Sequence, residues 1–402
     1  MNEHLLLFDL DNTMLQSNDL ENFRGDQNLN KSNDLQYRVN LISTLGSNPS
    51  RQLLSEGFFN SLLAAIPNVK LGVFTRSPKA YTEILLSSYF PNINWDIVVH
   101  FETLGVTRTK PNPDGIWYAC QALGIQNCMN VTMVGDDAVD TNAAYAAGVN
   151  AISYSKSWGR VNFASVKLIP DAIVNSETEL YNAIMNPSSY KAFLEGNIMS
   201  TRYDENLWEH APKHKIDSDP LIEVPVLGKY FVDKVPNRQI ASVHQLTKQI
   251  HDFKMHRTVP NAWTIAVIQL LEKIRTHYTH AIPIDNCILT VIPGKPSDDK
   301  NRLEYILAAI QELGYNMPII DDIFYFTDGV RSQHNEHLDK DQRINNIRDH
   351  LRMKPGIRHI DKSIFILDDV VTTGTSLYFA RKLLKNNGAR HAFPLAIAQT
   401  IS

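Results

Sequence analysis

With 402 residues, of which 43% are hydrophobic and 20% charged, the chain is long enough for two or three domains with cores of their own and has an ordinary globular composition. A net charge of -4 supplies no general attraction to nucleic acid or to an anionic membrane, and no apolar run approaches membrane-spanning length. Cys120, Cys128 and Cys287 form no Cys-x-x-Cys pair, which excludes a disulfide framework and a zinc site; with the absence of a signal peptide after Met1, the expectation is a cytoplasmic protein.

The chain opens on Leu5-Leu6-Leu7-Phe8-Asp9-Leu10-Asp11-Asn12-Thr13: four apolar residues, two carboxylates on alternate positions and a hydroxyl. Such a run reads as a buried parallel strand whose C-terminal edge carries chemistry. Carboxylates crowded there lose hydration and repel one another, and a divalent cation is the usual compensation. A polar stretch follows from Gln16 to Asn33, then roughly helical apolar spacing from Leu35 to Ile66. Lys70 to Phe74 reads as a second strand, closed by Thr75-Arg76-Ser77-Pro78, with a helix over Ala80 to Tyr89 and a third strand over Trp95 to Val99. Lys110-Pro111-Asn112-Pro113 opens a helix running to about Leu123. Asn130 to Val134 then leads into Gly135-Asp136-Asp137-Ala138-Val139-Asp140, a helix over Thr141 to Ala147 and a last core strand over Ala151 to Tyr154. Strands alternating with helices, with polar residues at the strand ends, predict an α/β fold built on a doubly wound parallel sheet.

Four polar clusters meet at that edge: Asp9 with Asp11, then Thr75, Lys110, and Asp136 with Asp140. Their order and chemistry resemble the four motifs of the haloacid dehalogenase superfamily over about residues 1–185. The resemblance implies a Rossmann-like core with a minimal cap, since only a small insertion, roughly 20–65, fits between Asp9 and Thr75. It also implies roles. Asp9 attacks a phosphoryl group as a covalent nucleophile, and Asp11 protonates the leaving oxygen and later activates water. A second Asp at that position goes with phosphatase rather than dehalogenase activity. Thr75 hydrogen-bonds the phosphoryl group and Lys110 offsets its charge. Mg²⁺ is held by Asp9, the backbone carbonyl of Asp11 and Asp136, with Asp140 in support.

Residues 186–227 gather Pro, Asn, Ser and His without strong periodicity and are expected to form a linker. A new unit is expected over 228–402, starting with the strand Lys229 to Val232 and helices over Val243 to Phe253 and Ala262 to His277. Its main signal is Ser363-Ile364-Phe365-Ile366-Leu367-Asp368-Asp369-Val370-Val371-Thr372-Thr373-Gly374-Thr375-Ser376. A buried strand again ends in two acids, now before a turn of small residues and a helix. Backbone N–H groups at a helix N-terminus suit a phosphate, and paired acids suit the hydroxyls of a sugar diol. Phosphate with a vicinal diol describes ribose 5-phosphate.

This stretch looks like the signature of type I phosphoribosyltransferases. The resemblance implies a second doubly wound domain in which Asp368 and Asp369 hold the ribose of phosphoribosyl pyrophosphate and Thr372, Thr373, Gly374, Thr375 and Ser376 its 5′-phosphate. Gly294 and Lys295 would face the pyrophosphate, with Arg302 assisting. Arg331 and Gln333, then Arg343 in a Gln-Arg-x-x-Asn pattern, are similar to the mobile loop of the ComF-like branch, although that branch's N-terminal zinc-type cysteines are missing here. A homodimer is implied by the same likeness. The combined reading is a bifunctional, Mg²⁺-dependent enzyme of nucleotide metabolism: a phosphatase joined to a phosphoribosyltransferase that transfers or cleaves a 5-phosphoribosyl group, acting on consecutive steps of one nucleotide. Two alternatives stand beside it: a phosphatase governed by a non-catalytic sensor of phosphoribosyl pyrophosphate or nucleotide, and a phosphatase of nucleic-acid ends. The basic stretch Arg343, Arg348, Arg352, Lys354 and Arg358 would serve the last, though it reads first as a solvated helix face.

Overall fold

Leu5 to Phe8 form the middle of the first sheet because successive side chains of a strand face opposite sides. Leu6 and Phe8 enter one apolar core, Leu5 and Leu7 another, so the strand is buried on both faces. The computed structural model describes residues 3–48, 50–154, 169–186, 213–214, 216, 222–277, 281–294, 302–331, 339–356 and 361–401. The first sheet contains β1 (His4–Phe8), β2 (Val69–Phe74), β3 (Ile97–Val99), β4 (Val131–Gly135), β5 (Asn150–Tyr154) and β6 (Ala172–Val174), in the order β3-β2-β1-β4-β5-β6 and parallel throughout. This places β1 between β2 and β4, so the ends of three strands that carry Asp9, Thr75 and Asp136 are neighbours.

The helices Lys79–Tyr89, Asp114–Leu123, Ala138–Ala147 and Glu177–Met185 complete this unit. The sheet runs one strand further than the sequence pattern indicated, because β6 is only three residues long and three residues carry no period. The third strand is shorter than expected, Ile97–Val99: Asp96, just before it, holds β2 from outside the strand, its N–H donating to the Leu71 carbonyl at 2.8 Å and its carboxylate accepting from the Leu71 N–H and from Lys70 Nζ.

The insertion between Asp11 and Thr75 is small. It contains three short 3-10 turns and two helices, Leu35–Ser47 and Glu56–Ala65. Arg51, wholly buried, fastens it: its guanidinium donates to Asp19 Oδ2 at 2.6 Å and to the Gln16 carbonyl at 3.2 Å.

After the two-residue antiparallel pair β7 (Lys213–His214) and β8 (Ile222–Glu223), a second sheet is built from β9 (Val226–Phe231), β10 (Cys287–Val291), β13 (Ser363–Val371) and β14 (His391–Ile401). Its order is β10-β13-β14-β9, all parallel. The short strands β11 (Phe324–Phe326) and β12 (Leu351–Met353) pair antiparallel beside it. The second core takes in Ile216, Ile222 and Val224 as well as the strands themselves.

The two sheets meet over a shared apolar surface. Phe231, Ile240, Ala241 and Ile401 pack into one cluster with Tyr145, Ala147 and Val149, and the Phe231 and Tyr145 rings lie edge to face at 5.5 Å. Gly148 sits at φ 76, and a Cβ there would stand 2.4 Å from the Pro236 carbonyl oxygen, so glycine permits the approach. At the centre, Lys229 Nζ donates to Tyr145 Oη at 2.8 Å and to the Ile169 carbonyl at 3.2 Å, with Asp171 at 3.8 Å. Removing one partner of a buried charge pair leaves the other uncompensated, so Lys229→Met is expected to cost about 3 kcal/mol. Urea unfolding of the full chain checks this; an unchanged midpoint would show that the contact contributes nothing to stability.

Candidate active site

The Asp9 N–H donates to the Val134 carbonyl at 2.8 Å, so the ends of β1 and β4 are zipped together beyond the strands proper. Lys110, just ahead of the helix Asp114–Leu123, is 3% exposed and lies with its ammonium 5.3 Å from the Phe74 ring centroid. Its Nζ donates to Asp9 Oδ1 and Asp140 Oδ1, both at 2.6 Å. The other Asp140 oxygen accepts from the Asp137 N–H at 3.2 Å as part of a helix N-terminal capping box. Asp136 accepts from Thr13 Oγ1 at 3.1 Å. Gly135 has a steric role here: a Cβ would stand 2.1 Å from Asp140 Oδ2.

Carboxylate oxygens of Asp9, Asp136 and Asp140 lie within 4.8 Å of one another. Three carboxylates share one ammonium, which leaves excess negative charge in a buried place. Burial is the main cause that pushes the Asp9 carboxyl well above the usual range, with Lys110 opposing it, and pushes Asp136 up to about 7, Asp140 adding to the shift. For Lys110, burial works against the charge, but Asp140 and Asp9 outweigh it and hold the ammonium more firmly than usual. An all-oxygen donor set with surplus negative charge fits a hard divalent cation such as Mg²⁺.

A pH dependence follows. Asp136 in the folded, metal-free chain keeps a proton that the unfolded chain gives up, since its folded value of about 7 exceeds the ordinary 3.8. Stability is therefore expected to fall as pH rises through that window and to level off above it, by an amount on the order of a few kcal/mol. Thermal melting in a chelator should show this decline, and saturating Mg²⁺ should remove most of it. A melting curve flat across the window, with and without Mg²⁺, would contradict the assignment.

Asp11 is held apart from the trio by its own donors. Ser17 Oγ and Tyr81 Oη donate to Oδ1 at 2.6 and 2.7 Å, and Ser77 Oγ donates to Oδ2 at 2.6 Å. Arg24 Nη1 stands 3.4 Å from Oδ1. Burial and the neighbouring Asp11 charge push the Tyr81 hydroxyl well up, so it remains a donor. Thr75 closes β2 by donating its N–H to the Val99 carbonyl at 3.0 Å; its buried Oγ1 has no hydrogen-bond partner among the described residues. An orphaned hydroxyl at that edge has the capacity to donate to a bound oxyanion.

Of the residues the motifs pointed to, the structure joins Lys110 to Asp9 and Asp140 and sets Asp136 within 4.8 Å of both carboxylates, with Asp11 and Thr75 just past neighbouring strands. They missed Ser17, Arg24, Ser77 and Tyr81. Ser77 and Tyr81 lie 66 and 70 positions from Asp11 in the chain, and no local pattern announces that pairing.

Residues 54–154 match the family model for haloacid dehalogenase-like hydrolases. The N-terminal half carries a haloacid dehalogenase-like domain. Among solved structures, one similar chain is a predicted phosphatase from Clostridium acetobutylicum, at 18% identity, covering 46% of this chain and 100% of that one with a TM-score of 0.34. Another is a haloacid dehalogenase superfamily hydrolase from Geobacter sulfurreducens, at 20% identity, covering 45% and 96% with a TM-score of 0.29. A third is a predicted phosphoglycolate phosphatase from Haemophilus somnus, at 16% identity, covering 45% and 98% with a TM-score of 0.30. No curated protein matches the chain. Among the described residues, no helix is long and apolar enough to cross a membrane.

Beyond the dehalogenase-like domain, the second sheet carries its acids inside β13 rather than at its end: Val370 and Val371 follow them and still pair with β14. Asp369 is buried; its Oδ2 accepts from Arg302 Nε at 2.8 Å, Oδ1 accepts from the Val370 N–H at 2.8 Å, and Lys254 Nζ stands 3.9 Å away. Despite its burial, Arg302 and Lys254 bring the Asp369 carboxyl below its ordinary value, whereas burial pushes Asp368 up to about 7, with Asp369 adding to it. Gly374 takes φ 74 at the start of the helix Thr375–Asn386, the Thr372 and Thr400 hydroxyls are bonded at 2.8 Å, and so are those of Thr373 and Thr375. Gly294 lies three residues past β10, and Arg331 is tied to Asn346 through its backbone N–H and carbonyl. Arg343 lies on the helix Lys340–His350. Lys295 and Gln333 lie outside the described residues.

Proposed function

We propose that the N-terminal domain hydrolyses phosphomonoesters at Asp9, and that the C-terminal sheet binds and transfers a 5-phosphoribosyl group at Asp368 to Ser376. What carries the first reading is the buried Lys110 ammonium bridging Asp9 and Asp140 beside Asp136. Asp9 attacks phosphorus; as the Asp9 O–P bond forms, the bond from phosphorus to the alcohol oxygen breaks, and Asp11, which enters this step in its protonated form, delivers that proton to the oxygen. In the second step water attacks the aspartyl-phosphate, its proton passes to Asp11, and inorganic phosphate leaves with Asp9 restored. Lys110 and the Thr75 hydroxyl stabilise charge on the phosphoryl oxygens. Mg²⁺, held by Asp9, the Asp11 carbonyl and Asp136 with Asp140 in support, would add positive charge at the same oxygens. The test is phosphate release from a panel of small phosphomonoesters, expected with Mg²⁺ and lost in chelator. Absence of release from the whole panel would overturn the reading.

The second reading is supported by two acids late in β13, two cations beside Asp369 and the small-residue turn that follows the strand. A nitrogen nucleophile would attack C1 of phosphoribosyl pyrophosphate while the bond from C1 to the pyrophosphate oxygen breaks. Residues 1–185 and 228–402 are taken as the two domains and 186–227 as the linker, whose last residues, Val226 and Leu227, already belong to β9; a homodimer and a cytoplasmic location are part of the same proposal. The buried contact between the sheets keeps the regulatory alternative, in which ligand at Asp369 changes turnover at Asp9. Mass spectrometry of the protein with Mg²⁺, phosphoribosyl pyrophosphate and a pool of bases separates these. Consecutive enzymes yield a dephosphorylated product in wild type and its phosphorylated precursor in Asp9→Asn. A sensor binds phosphoribosyl pyrophosphate without consuming it and alters phosphate release.

A further inference from the structure

We infer that Arg24 selects phosphomonoesters whose alcohol carries a second anionic group, a carboxylate or another phosphate. This rests on the phosphatase reading above and names its substrate class. Arg24 belongs to the small insertion, and its side chain, 20% exposed, stands at Asp11. Asp11 does not need it: three hydroxyls already donate to that carboxylate. The guanidinium makes only ion contacts among the described residues, 3.4 Å to Asp11 and 3.8 Å to Glu21, and no hydrogen bond. Five N–H donors arranged to grip an oxyanion are thus held at the site with little to grip.

The turn that presents Arg24 is firmly built. Gln27 Nε2 donates to the Arg24 carbonyl at 2.8 Å, Asn28 Nδ2 donates to the same carbonyl at 3.0 Å and to the Asn22 carbonyl at 3.0 Å, and Tyr37 Oη donates to the Phe23 carbonyl at 2.7 Å. Asn28 and Tyr37 are buried, so the backbone around Arg24 is fixed on both sides. Such pre-organisation lowers the entropy lost when a ligand is gripped.

The placement also gives the substrate geometry. The leaving oxygen must come within hydrogen-bond reach of Asp11, so the alcohol passes beside that carboxylate and hence beside Arg24. A second anion a few bonds from the ester oxygen then meets the guanidinium. An uncharged alcohol leaves it on Asp11 and Glu21.

The test compares propyl phosphate, 3-phosphooxypropionate and propane-1,3-diyl bisphosphate with wild type, Arg24→Ala and Arg24→Lys. Wild type is expected to prefer the two anionic substrates in kcat/KM by about tenfold or more, the worth of one charge-assisted hydrogen bond. Arg24→Ala should bring that ratio close to one, chiefly through KM of the anionic substrates, and Arg24→Lys should restore part of it. Whether the carboxylate or the bisphosphate leads identifies the anion. Equal losses on all three substrates, or no preference in wild type, would show that Arg24 merely holds Asp11 and overturn the inference. No release from these three or from the general panel would instead overturn the phosphatase reading beneath it.

Discussion

Asp9→Asn is expected to lower phosphate release by about four orders of magnitude or more, because the amide cannot form the phosphoryl-enzyme bond. Asparagine has nearly the same shape, so the loss is not one of packing. It is also not one of stability. Asp9 is 8% exposed and its burial already raises the cost of its charge. A neutral amide there removes a buried negative charge, while Lys110 keeps Asp140 at 2.6 Å. In metal-free buffer the variant should melt at or above the wild-type temperature. Steady-state phosphate release and thermal melting on the same preparation check both halves. Turnover within tenfold of wild type would place the nucleophile elsewhere; a collapse in melting temperature would make the activity loss uninformative and contradict the electrostatic account.

Lys110→Met gives the opposite pattern. Methionine fills similar volume against Phe74 but removes the only ammonium bonded to Asp9 and Asp140 among the described residues. Two buried carboxylates are then left without their cation, and the cost expected for breaking such a pair is roughly 3–5 kcal/mol. The carboxylates can escape part of it by binding protons, so the penalty should shrink as pH falls. Saturating Mg²⁺ should recover some stability by supplying charge to the same cluster. Turnover is expected to drop about a hundredfold to a thousandfold even where the variant is folded, since charge on the transferring phosphoryl group loses a fixed partner. Melting curves across pH with and without Mg²⁺, together with activity below the melting temperature, measure each part. A variant as stable as wild type at neutral pH would show that Lys110 is not what holds the carboxylates.

The two halves were legible to different depths. In the first half each member of the Asp9, Thr75, Lys110, Asp136 group sits at a strand end or just before a helix, where a local pattern of apolar run and polar stop is easily read. Asp96 and β6 mark where that reading breaks: one carboxylate turned onto the backbone, and a strand too short to show alternation. Around Asp11 the sequence was silent, because Ser17, Ser77, Tyr81 and Arg24 converge only once β2 lies against β1 and the insertion folds back. In the second half the strand–turn–helix from Ser363 onward was visible, but the engagement of Asp369 by Arg302 and Lys254 was not; these residues lie far from Asp369 in the chain.

By itself, then, the sequence determined two parallel-sheet units and the acids on the strands His4–Phe8 and Ser363–Val371 or just past them, because buried strands and their polar stops are written in neighbouring residues. Only the tertiary structure decided which groups hold those acids. It set Lys110 between Asp9 and Asp140, closed a ring of hydroxyls around Asp11, poised Arg24 beside it and joined the halves through Lys229 and Tyr145. Strand order and burial bring those side chains within hydrogen-bond reach across gaps of tens of residues, and charges buried that closely must find partners wherever the fold supplies them.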